Sequence, residues 1–471
     1  MSSETLVAGV DSSTQSCKIV VCNAETGALV RTARAPHPDG TEVDPHAWWR
    51  AWRQASGDGI LDGVQAIAVG GQQHGMVTLD ADGEVVRPAL LWNDTRSAGA
   101  AADLVSEFGG PQAWAEQIGL VPVAAITATK LRWLARTEPD NLERSRTCVL
   151  PHDWLTGRIL QDGNGFERWT TDRGDASGTG YWSAHSQDYR PDVMELAIGR
   201  TIEVPEVLAP NAVAGRTDSG MLVGPGTGDN MGAALGLGLA PGDVVVSLGT
   251  SGTVFARHAD PLADASGALQ SFADAEGGYL PLLCTLNAAR VMNAGATILG
   301  VDYAEFDRLA LAAAPGAGGL TLLPYLDGER TPNLPGASGT LLGLTRANAT
   351  PENLARAHVE GMLLNLVAGV AALREHGVPV ERILLVGGAA ASVAVHDIAP
   401  LLFGVPVAVP AAGEYVGIGA ARQAAWTLSG GAGPPVWEIS IDVVAEPGAP
   451  DAGAEIVARY RDAVRTVHGI G

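Results

Sequence analysis

Two aspartates, Asp11 and Asp229, lie beside turns built from glycine and hydroxyl residues. Turns of that kind aim several backbone N–H groups and hydroxyls at one point, which is how a loop holds phosphate. Leu6 to Lys18 reads LVAGVDSSTQSCK and Val244 to Phe255 reads VVVSLGTSGTVF, each a hydrophobic run, a tight turn and a second hydrophobic run. Both patterns predict β-hairpins. Overlaid on their turns, the copies set Asp11 against Gly249, so only the first carries a carboxylate. A carboxylate beside phosphate is repulsive unless a divalent cation such as Mg²⁺ lies between them. Thr14 and Lys18 follow closely enough to reach phosphate oxygens. Aspartate also caps turns, and the hairpin alone leaves that reading open.

Asp229 lies in GTGDNMG, between a predicted strand and a short helix. The helix N-terminus is expected to keep it ionised, and phosphoryl transfer accepts a weak base because the hydroxyl proton moves late. An N-cap without chemistry is the alternative. The Gly249-Thr250-Ser251 turn suits close approach to phosphate, although such turns are common without ligands. GGQQHG, Gly70 to Gly75, ends a strand with Gln73 and His74, neutral groups that suit the hydroxyls of a polyol. WNDTR adds Trp92 and Asp94 as an apolar ring and a further hydrogen-bonding group. Gly387-Gly388-Ala389 follows a strand and offers bare backbone to a flat ring such as adenine. Ten histidines include no HExxH, so no zinc site is assigned. The glycines around Asp229 are spaced GxGxxxG rather than GxGxxG, which argues against a dinucleotide fold.

These residues need α/β domains to position them. Val64 to Gln72 reads as a buried strand, Asp44 to Ala55 as a helix capped by Asp44, and a helix of about 20 residues starts at Pro351. Arg382 to Ser392 is a strand ending in glycines. Gly431 to Gly453 reads as loop before a last helix, Ala454 to His468. At 471 residues two domains are expected, divided as 1–239 and 240–471. A formal charge of −22 excludes a large nucleic-acid or anionic-membrane surface. No apolar span suits a membrane, and Cys17, Cys22, Cys148 and Cys284 show no CxxC spacing, which predicts reduced thiols and a cytoplasmic protein. Its partners are then small molecules, and a homodimer is compatible with the chain. Only Lys18 and Lys130 are lysines, a bias for which we have no physical account.

Read in order, GVDSSTQSCK, GGQQHG, ALLWNDTRS, LPHDWLTGR, TDRGDASGT, GTGDNMGAALGLG, SLGTSGT, LPYLDGERTPN, LVGGAAAS and GEYVGIGAA resemble the FGGY family of carbohydrate kinases, of the actin, hexokinase and Hsp70 superfamily. The resemblance implies two ribonuclease-H-like domains flanking a central cleft, sugar held mainly by the first and ATP mainly by the second. It implies Asp229 as general base and Asp11 as the acid organising Mg²⁺. Gln73, His74 and Asn230 would contact sugar; Thr250 and Ser251 would meet phosphates; Gly388, Ala389 and Ser392 would line the adenine pocket. Three departures from the family pattern are Ser13 and Ser16 for first-loop glycines, Gln73 for methionine, and His152 for lysine. The implied reaction is ATP-dependent phosphorylation of D-xylulose at O5. A sister kinase for ribulose, gluconate or glycerol is one rival, and a non-catalytic nucleotide-binding regulator is the other.

Overall fold

The computed structural model describes residues 4–448 and 450–470. They form two compact α/β units. The first comprises residues 1–239 together with His258–Leu280 and Gly413–Glu438, and the second comprises Ala240–Arg257, Pro281–Ala412 and Ile439 onward. Two segments that the sequence division assigns to the second domain therefore cluster with the first. Their membership depends on packing partners distant in the chain, such as Ser177, which bonds Ala273 across 96 positions, and no local pattern encodes that.

The first unit is built on a mixed sheet in the order Gly215–Arg216, Leu222–Val223, Val64–Gly71, Leu6–Ser12, Ser16–Asn23, Leu29–Pro36, with Thr227–Gly228 also pairing to Val64–Gly71. The Leu6–Ser12 strand is apolar on both faces because both faces are covered. Ala8, Val10, Ile19, Ile67 and Val69 pack with Trp52 and Leu155 on one side. Val7, Val20, Ala66 and Ala68 meet Ala420, Ala421, Ala424 and Ala425 on the other. Those four alanines belong to the Tyr415–Ser429 helix, and their small side chains let it lie close against the sheet. The predicted hairpin is present, antiparallel with Asp11 opposite Lys18. Helix Pro45–Ala55 starts as predicted, with Asp44 accepting from His46 N.

In the second unit the sheet runs Tyr279–Thr285, Gly252–Ala256, Asp243–Leu248, Arg382–Val386, Val407–Pro410, Ile441–Ala445. The second hairpin is again antiparallel, Val246 facing Val254. Helix Pro351–Glu375 has 25 residues and is capped by Thr350. The segment read as loop, Gly431 to Gly453, contains the edge strand Ile441–Ala445, antiparallel to Val407–Pro410, and the last helix starts earlier, at Pro450. Flanking prolines and glycines, with one face of the strand open to solvent, mask it in the sequence; position 449 lies outside the described residues. No described helix is long and apolar enough to cross a membrane.

Candidate active site

Three parallel strand ends in the first unit carry the chemically capable side chains. Asp11 pairs with Gly70 across the Leu6–Ser12 and Val64–Gly71 strands, and Gly70 pairs in turn with Thr227, two residues before Asp229. Carboxyl ends of adjacent parallel strands are the usual ligand position in α/β sheets.

Asp229 opens the Asp229–Gly236 helix, with Gly228 as the N-cap residue. Its Oδ1 accepts from Asn230 N at 2.8 Å and from Asn230 Nδ2 at 2.9 Å. Asn230 Nδ2 also donates to Gln73 Oε1 at 3.1 Å. Burial and then the Asp11 charge push the Asp229 carboxyl up to about 7, against the bonds from Asn230. The helix N-terminus was expected to keep it low; desolvation and a like charge outweigh that dipole. Gln73 Nε2 is buried without a partner. His74 has φ +65 and its Nδ1 lies 2.8 Å from Gly178 O. A carbonyl only accepts, so Nδ1 carries the proton and a neutral ring has its lone pair on Nε2.

Asp11 is buried, and burial raises its carboxyl above the ordinary value despite the Lys18 ammonium nearby. Lys18 Nζ lies 3.4 Å from Asp11 Oδ2 and 2.6 Å from Glu414 Oε2. Glu414 is a neighbour that sequence reading missed, although it stands in the quoted GEYVGIGAA. Asp11 Oδ1 is buried with no partner of hydrogen-bonding geometry. Thr14 Oγ1 accepts from Trp92 Nε1 at 2.9 Å, which ties the indole to the first loop. Asp94 is committed internally: Arg96 N and Nε donate to Oδ1 at 3.0 and 2.9 Å, and Thr41 to Oδ2 at 2.8 Å. Those bonds hold its carboxyl below the usual range in spite of burial.

In the second unit, Gly249, Thr250 and Ser251 form the exposed hairpin turn. Gly249 O and Thr250 O accept from Ala289 N and Ala288 N, which leaves the loop's own N–H groups outside these bonds. Gly387 has φ +92, and a Cβ there would come within 2.8 Å of Leu248 C, so only glycine fits this crossing. Gly388 is different: a Cβ on it would meet nothing within 4 Å. Gly388 and Ala389 thus begin a short helical turn with an open side. Ser392 caps the next helix and donates to Asp307 Oδ1 at 2.7 Å.

The geometry therefore offers a polar strand end with a carboxyl raised by burial in one unit and a glycine and hydroxyl turn in the other. The N- and C-terminal domain descriptions of the FGGY family of carbohydrate kinases match residues 6–237 and 244–428. The chain is 45% identical over 441 residues to the xylulose kinases of Streptomyces coelicolor and Streptomyces rubiginosus, covering 90% of this chain and 88% of each of those. The crystal structure of xylulose kinase from Bifidobacterium adolescentis superposes with a TM-score of 0.90 at 46% identity, over 98% of this chain and 99% of that one. With matches that run through both units and through every motif above, the chain belongs to the FGGY family of carbohydrate kinases.

Proposed function

We propose that the chain transfers the γ-phosphoryl group of ATP to O5 of D-xylulose, giving D-xylulose 5-phosphate and ADP. The observation that carries this reading is Asp229, a carboxylate with its pKa lifted to about 7 and tied through Asn230 to Gln73. A base is most useful when its pKa lies near the working pH. The name borne by the Streptomyces relatives supports the sugar.

In this reading Gln73, His74 and Asn230 hold sugar hydroxyls, and Trp92 walls the site while bracing Thr14. O5 attacks the γ-phosphorus and its proton passes to Asp229. The O5–P bond forms, the bond to the bridging oxygen breaks, and ADP leaves with that electron pair. Gly249, Thr250 and Ser251 receive phosphate oxygens, as does Lys18, and Gly388 and Ala389 receive adenine. The orphaned, buried Oδ1 of Asp11 fits a divalent cation. Asp11 would hold Mg²⁺, which when bound offsets phosphate charge. A cytoplasmic location is consistent with the buried thiols of Cys17, Cys22 and Cys148.

A panel of D-xylulose, D-ribulose, gluconate and glycerol in an ADP-release assay tests the proposal. D-xylulose is expected to give at least tenfold higher kcat/KM than the others. Preference for another sugar, or no ADP with any of them, overturns it.

A further inference from the structure

Beneath the strand ends lies a buried charge cluster that the reaction above does not use. His152 is fully buried, with Asp153, Asp172 and Asp175 around it. Nδ1 lies 2.7 Å from Asp175 Oδ2 and 3.1 Å from Asp153 Oδ1, while Nε2 lies 3.5 Å from Asp172 Oδ1. Nδ1 is hydrogen-bonded to Asp175, while Nε2 lies beside the Asp172 carboxylate without hydrogen-bonding geometry; carboxylates near both nitrogens favour the doubly protonated ring.

His152 touches or bonds to each segment that supports the substrate side, through its backbone and Cβ at Gly71 and through its ring at Gly226 and Asp175. A Cβ on Gly71 would come within 2.7 Å of His152 Cβ, and Gly71 begins the run to Gln73 and His74. Gly226, with φ +85, passes so close that a Cβ would run into the ring, 2.8 Å from Nε2; it leads into Thr227, Gly228 and Asp229. Asp175 lies in the Arg173–Ser177 helix, whose following residue Gly178 accepts the Nδ1–H of His74. Three chain segments distant in sequence thus converge on one residue.

We infer that His152 is a positioning residue: a buried imidazolium that offsets part of the charge of the aspartate cluster and so fixes His74 and the Gly226–Asp229 loop in sugar-binding geometry. Without the cation, Asp153 and Asp175 face each other in a dry interior, where like charges repel strongly. The segments they belong to then separate, or a carboxyl takes up a proton and its hydrogen-bond pattern changes. Burial alone would drive the imidazole neutral, but Asp153 and the bond to Asp175 raise it to about 10. The inference rests on the assignment of His74 and Asp229 to the sugar side, and its first test is independent of that assignment.

¹⁵N NMR of the imidazole in the wild-type protein at pH 8 should show both His152 nitrogens protonated. A neutral ring at that pH overturns the proposal. Steady-state kinetics then follow, with whichever sugar the wild type prefers. His152→Gln should raise the sugar KM at least tenfold with the ATP KM within twofold of wild type, and His152→Lys should recover most of that loss. A purely structural role would lower kcat with the folded fraction and leave both KM values alone. That result, or a lysine variant no better than glutamine, overturns the proposal. Should His152→Gln fail to fold, the wild-type spectrum and the lysine variant carry the test.

Discussion

Asn230 Nδ2 donates to Gln73 Oε1 at 3.1 Å, a bond between residues 157 positions apart. The same nitrogen donates to Asp229 Oδ1 at 2.9 Å. A side-chain amide proposed to contact the sugar is thus joined by hydrogen bonds to the carboxylate proposed as base. A net hydrogen bond contributes about 1 kcal/mol, or roughly a fivefold change in an equilibrium constant. Gln73→Met and Asn230→Ala are each expected to raise the sugar KM about fivefold. Because they break one shared bond, the double variant should fall short of the product of the two effects. A fully multiplicative double variant would show that the bond does not connect them in function.

As the proposed base, Asp229 is expected to set the pH dependence of the transfer. With its carboxyl lifted to about 7, the ionised, proton-accepting form is lost as pH falls below 7, so kcat/KM should drop tenfold per pH unit there. Asp229→Asn should cut kcat by roughly 10²–10⁴, with ATP binding by calorimetry within a few-fold of wild type. Since the Asp11 charge contributes to the upward shift, Asp11→Asn should move the Asp229 carboxyl to lower pKa in a ¹³C NMR titration. An unmoved titration would separate the two carboxylates electrically.

Much of this site is legible in the sequence because it sits where periodicity ends. The two hairpins, the Val64–Gly71 strand and the Asp229 turn all announce themselves as a hydrophobic run broken by glycine. What escapes is relational. Glu414 reaches Lys18 across 396 positions, and the helix that begins beside it joins a unit whose first segment ends at Leu239. His152 reads as a departure from a motif that also holds Asp153, while Asp172 and Asp175 read as parts of one other motif; only folding brings that second motif to the ring. Asp94 and Ser392 are also relational: each looks uncommitted in the sequence, and in the fold each is bonded to a neighbour, Arg96 and Asp307. The expected low pKa of Asp229 fails because a helix dipole is a local feature while desolvation depends on the whole fold.

Gly387 and Gly388 are adjacent and separable. Gly387→Ala forces a Cβ against the Leu248 carbonyl at φ +92, which should cost about 1–3 kcal/mol of stability. Gly388→Val meets no protein atom near its Cβ, so unfolding should be nearly unchanged. If adenine slides over that open backbone, the ATP KM should rise about tenfold while the sugar KM stays put. An unchanged ATP KM would remove adenine from this surface.

The cluster around His152 also imposes a direction on stability against pH. Asp153 and Asp175 are raised by burial to about 7 and about 6, and Asp229 to about 7, from an ordinary 3.8. Between pH 4 and 7 the folded chain therefore binds more protons at these sites than the unfolded chain. Stability contributed there falls as pH rises. His152 is raised from 6.5 to about 10, so its contribution is complete below pH 6.5 and is lost as pH rises through 10. All four groups act in the same sense. The lowered carboxyls of Asp44, Asp94 and Asp192 work the other way below their ordinary 3.8, and the lowered imidazoles of His37 and His358 do so below their ordinary 6.5, two groups against three raised carboxyls in that range. Urea unfolding at pH 5, 7 and 9 should accordingly give a free energy that declines across the series, and His152→Gln should flatten the step from 7 to 9. A wild-type free energy that rises over this range would mean that the buried imidazole gives up its proton on folding, the reverse of what its three carboxylate neighbours require.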